Sequence, residues 1–93
     1  MDNSLFDQTF RDSEGNIVIA QPPNPPLIVG VVASLLKFFI KSGNIYIALD
    51  AIAFGSLFTW AWLELFDGVN YFRRSLGLLG LIALVAFRLS NNV

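Results

Sequence analysis

Residues 45–66, IYIALDAIAFGSLFTWAWLELF, decide the fold class. The run contains no proline, and only Asp50, Ser56, Thr59 and Glu64 interrupt its apolar character. A helix that crosses a bilayer needs roughly 20 predominantly apolar residues at about 1.5 Å rise each. This run meets that need. Ser42-Gly43-Asn44 punctuates the chain before it, and Asp67-Gly68 after it.

Working outward, two more apolar segments flank it. Residues 70–89 carry Arg73 and Arg74 near their start and Arg88 near their end. Residues 26–41 are broken only by Lys37 and end on Lys41. The upstream segment is short: a helix from Pro26 to Lys41 would cover about 24 Å. It crosses only if Lys37 and Lys41 extend their heads to the interface; otherwise it is re-entrant or interfacial. The pattern predicts an all-α integral membrane protein. Three transmembrane helices near 26–41, 45–66 and 70–89 run in antiparallel up-down order, so residues 25–93 form the membrane bundle and residues 1–24 a separate tail.

Composition agrees. Hydrophobic residues make up 55% of the 93-residue chain and charged residues 14%, against about 25% charged in a soluble domain. The net charge of −1 excludes the basic patch that nucleic acid demands. The chain has no cysteine and no histidine. Disulfides, thiol catalysis and the commonest metal-binding and haem-ligating side chain are therefore excluded. No cofactor is expected, and no enzyme activity: Asp50, Glu64, Ser and Thr do not make a convergent catalytic set. No cleavable signal stands out in residues 1–24, which lack both a basic start and an apolar run.

The tail is acidic, with Asp2, Asp7, Asp12 and Glu14 against Arg11. Thr9-Phe10-Arg11 and Ile17-Val18-Ile19 flank Asp12-Ser13-Glu14-Gly15-Asn16. β-prone runs around a Gly/Asn/Asp turn read as a β-hairpin; the alternative is an unstructured tail. Gln21-Pro22-Pro23-Asn24-Pro25-Pro26 then forms a stiff extended spacer. Asn24 is a candidate N-cap, with proline in the first turn where a missing N–H costs nothing.

Lipid offers little hydrophobic drive between helices, so small residues mark close packing. Gly30 and Ser34 provide such a pair on the first segment. Ala48, Ala51, Gly55 and Thr59 share one face of the second, and Gly77, Gly80 and Ala83 recur on the third. The charges add a sharper expectation. Lys37 and Asp50 are equidistant from the Gly43-Asn44 turn, and Glu64 and Arg73 from Gly68-Val69, with Arg74 the alternative partner for Glu64. Antiparallel hairpins put each opposite-charge pair at one depth, where pairing removes the cost of a membrane charge. Spacing sets depth but not rotation. Trp60, Trp62, Tyr71 and Arg74 read as interfacial anchors beside the second turn.

Cationic residues nearly balance across the three-span arrangement: Arg11, Arg73 and Arg74 against Lys37, Lys41 and Arg88. The adjacent arginines tip the topology slightly toward an N-terminus inside, in a multi-pass protein of, most simply, a bacterial plasma membrane. The expected partners are the lipid bilayer and either a membrane protein or a second copy. The composition points to an accessory or scaffold subunit of a membrane complex. A homo-oligomeric channel, holin-like pore or small carrier is the alternative, although no continuous polar stripe lines a helix.

Overall fold

Gly43 opens the longest helix with a φ of 88°, a left-handed turn that a side chain would strain. The helix then continues unbroken through Asp67. The computed structural model describes residues 4–91; Asp2 of the acidic tail and the closing Asn92-Val93 lie outside the described residues. Among these residues the regular elements are all helical, four helices and no strand. They are α1 (Leu5–Phe10), α2 (Pro25–Leu36), α3 (Gly43–Asp67) and α4 (Tyr71–Asn91). The chain divides into two compact units, Pro23–Trp60 and Met1–Pro22 with Ala61–Val93.

In the first of these units, Asn24 caps α2: its Oδ1 accepts from Leu27 N at 3.1 Å, and prolines fill the first turn. The helix stops at Leu36, earlier than the expected 41. Phe38 N donates to Leu35 O and Phe39 N to Leu36 O, the tighter spacing of a 3₁₀ turn. Gly30 lies against Leu57, where a Cβ would come within 2.6 Å of Leu57 Cδ2. Ala33 and Ala53 are buried.

In the other unit, Asn70 starts α4: its Oδ1 accepts from Arg73 N at 2.9 Å. Gly68 makes the turn before it because a Cβ there would collide with Glu64 O and approach Arg74 N to 3.1 Å. Ala61 is fully buried. Gly77 packs on the backbone of α3, where a Cβ would come 2.5 Å from Ala61 O.

The β-hairpin reading of the tail needs correction. Its first arm is helical. Ser4 Oγ caps Asp7 N at 3.1 Å, and Asp7 pairs with Arg11 one turn later at 2.9 Å. Local capping and an i,i+4 ion pair outweigh the β propensity of Thr9 and Phe10. The turn itself is present: Asp12 Oδ1 accepts from Glu14 N and Asn16 N, and Gly15 takes a φ of 87°. Only the single bridge Arg11–Ile17 remains of the expected ladder.

Among the described residues, α3 alone is long and apolar enough to cross a membrane. At 12 residues, α2 by itself covers about 18 Å. With 21 residues, α4 has the length, but Arg73, Arg74 and Arg88 lower its hydropathy.

Candidate functional site

Two ion pairs link residues on successive helical segments. Lys37 caps the C-terminus of α2, and its Nζ donates to Asp50 Oδ1 of α3 at 2.6 Å. Both side chains are 27% exposed. The ammonium also lies 5.6 Å from the centroid of the Tyr46 ring, within cation–π range. The Gly30–Leu57 contact has the same antiparallel register as Lys37–Asp50, so one hairpin geometry produces both.

The second pair is more enclosed. Arg73 Nη2 donates to Glu64 Oε1 at 2.5 Å and Nε to Oε2 at 3.3 Å, a bidentate fork with both side chains only 10% exposed. A third donor, Nη1, reaches Ile19 O at 3.0 Å. Asn70 adds a further tie: Nδ2 donates to Val18 O at 2.7 Å while Oδ1 caps α4. Phe10 and Phe72 pack beside this cluster, with ring centroids 5.9 Å apart. The tail is thus fastened to the α3–α4 turn by side chains that also neutralise one another. Among the described residues, no buried side-chain nitrogen or oxygen lacks a partner.

Charge spacing in the sequence does not single out Asn70 or the carbonyls of Val18 and Ile19. An Asn just after Gly68 and three residues before Arg73 is a helix-start signal, so Asn70's capping role was readable. The carbonyls were not, since every residue carries one.

The proposed packing residues separate. Gly30 and Gly77 are buried in helix–helix contacts. Ser34 is half-buried and donates to Gly30 O at 2.7 Å, and Gly80 is half-buried. Ala83 is exposed. Within this chain the α3 face of Ala48, Ala51, Gly55 and Thr59 is also exposed, and a Cβ on Gly55 would meet nothing within 4 Å. The buried positions of α3 are instead Ala53, Ala61 and Glu64. Helix rotation, which small-residue spacing leaves open, accounts for the difference.

Of the aromatic anchors, Trp60 is half-buried. Trp62 is half-exposed and packs on Phe66 at 4.6 Å. Tyr71 is also about half-exposed. Arg74 is exposed and donates through Nε to Gly68 O at 3.2 Å.

No family model, no curated protein and no solved structure matches the chain significantly.

Proposed function

We propose that the chain is an integral membrane protein of three spans that serves as an accessory or scaffold subunit of a membrane complex. The supporting observation is the distribution of polarity. Glu64, Asn70 and Arg73 are 4–8% exposed, whereas Phe39 is 83% exposed and Phe87 73%. Among the described residues, the buried hydrophobic ones are all alanines: Ala33, Ala53 and Ala61. A water-soluble chain loses about 25 cal/mol for each Å² of apolar surface left in water. Lipid removes that cost and makes paired charges inside the sensible arrangement.

Length supports a first span despite the short α2. Backbone bonding continues past Leu36, with Ile40 N donating to Leu36 O. Twelve α-helical residues and the four that follow to Ile40, at about 1.5 Å each, give roughly 24 Å. That approaches the roughly 30 Å hydrocarbon core, and Lys37 reaches Asp50 instead of facing lipid alone. In α4, Glu64 neutralises Arg73, Arg74 lies one residue further along the first turn, and Arg88 lies in the last turn.

The subunit reading draws on the exposed small-residue face of α3, which leaves room for another helix. Native mass spectrometry after mild solubilisation tests it. Co-purifying membrane proteins would support a subunit. A defined homo-oligomer would transfer support to a channel or carrier, and a partner-free monomer would contradict both.

A further inference from the structure

A pocket of about 280 Å³ lies between the tail and the α3–α4 turn, lined by residues that include Asp7, Arg11, Asp12, Ser13, Tyr71 and Arg74. Two of its charges cancel: Arg11 Nε lies 2.9 Å from Asp7 Oδ1, and Arg11 Nη1 is spent on Gly15 O. The other two do not. Asp12 uses Oδ1 to accept two turn amides and has no cationic partner among the described residues. Arg74 uses Nε on Gly68 O, and its two Nη groups have no carboxylate partner among the described residues. One unspent anion and one unspent cation therefore line the same pocket without pairing with each other. Tyr71 lines the pocket at the start of α4, and Trp62 lies in the last two turns of α3; Trp and Tyr are enriched at headgroup level.

We propose that this pocket binds a zwitterion carrying a phosphate and a primary ammonium, with the phosphate on Arg74 and the ammonium on Asp12. The inference rests on the membrane reading above. The chemistry is that of a phosphoethanolamine headgroup. Arg74 offers planar paired donors to phosphate oxygens. Asp12 accepts from ammonium N–H groups, and Ser13 and Tyr71 add hydroxyls at the wall. A phosphocholine headgroup has no N–H to donate to Asp12. An anionic phosphoglycerol headgroup would satisfy Arg74 but offer Asp12 only neutral hydroxyls, leaving its charge unmatched. Both a membrane phospholipid and its soluble glycerophosphoethanolamine counterpart carry the required groups.

The test uses the full chain in nanodiscs of equimolar phosphatidylethanolamine, phosphatidylcholine and phosphatidylglycerol. Retained lipid is read by native mass spectrometry after gentle detergent release. The expected result is severalfold enrichment of phosphatidylethanolamine. Arg74→Gln abolishes that enrichment, and Asp12→Asn shifts retention toward phosphatidylglycerol; Asn keeps the oxygen that holds the turn. Displacement by glycerophosphoethanolamine marks the headgroup alone as sufficient. Persistence of the lipid identifies the membrane as the source. Equal retention of the three lipids, or a preference that survives both substitutions, would overturn the pocket. Failure of the chain to enter nanodiscs at all would instead overturn the membrane reading.

Discussion

Lys37 and Asp50 illustrate how much a single charge depends on its partner. Each is roughly a quarter exposed, so part of the pair's energy is lost to screening. Lys37→Met should lower stability in detergent by about 1–2 kcal/mol, because it removes the cationic partner of a half-buried Asp50. Adding Asp50→Leu should recover at least half of that loss, measured as a double-mutant cycle by denaturant titration. If the double change costs as much as the two singles summed, the residues are not coupled. Arg73 and Arg74 make a stricter comparison, being neighbours in sequence with different surroundings. Arg73→Met breaks three hydrogen bonds and strands a buried Glu64, which should cost about 3–5 kcal/mol. Arg74→Met loses one exposed bond and should cost less than about 1 kcal/mol. Equal thermal shifts would contradict the assigned burial. The charges that meet were legible in the sequence because turn position sets depth in an antiparallel hairpin. The tail carbonyls beside Arg73 were not legible, since backbone acceptors leave no trace in side-chain identity.

At the scale of elements, glycines report which helix faces are used. Gly77 abuts α3 backbone that cannot yield, so Gly77→Ala should force α3 and α4 apart and lower the thermal midpoint. Gly55 faces open space, so Gly55→Ala should raise helix stability by up to about 1 kcal/mol through backbone entropy alone. In a complex, the same Gly55→Ala would weaken any partner helix seated on that face; a loss of co-purifying protein with a gain in chain stability would separate the two effects. Helix α3 was readable from its length and its flanking turns. Helix α1 was not, because a six-residue helix leaves too little periodicity, and β propensity dominates so short a window. Its stabilisers, the Ser4 cap and the Asp7–Arg11 pair, are local and identifiable only once the start position is known. The early end of α2 was equally obscure, since Leu36 to Ile40 shows no breaker.

For the whole molecule, the proposed three spans fix a topology: the tail and the α3–α4 turn would share one side of a bilayer, and the α2–α3 turn and the end of α4 the other. The absence of cysteine from the sequence makes the arrangement directly measurable. Ser13→Cys, Ser42→Cys and Ser90→Cys are small changes at exposed positions. Each single-cysteine chain is placed in sealed vesicles and treated with a membrane-impermeant maleimide. On the three-span topology, the cysteines at 42 and 90 react from one face and the cysteine at 13 from the opposite face. Reaction of positions 13 and 42 from the same face would show that the first segment does not cross, and equal reaction of all three from one face would contradict the membrane-spanning fold itself.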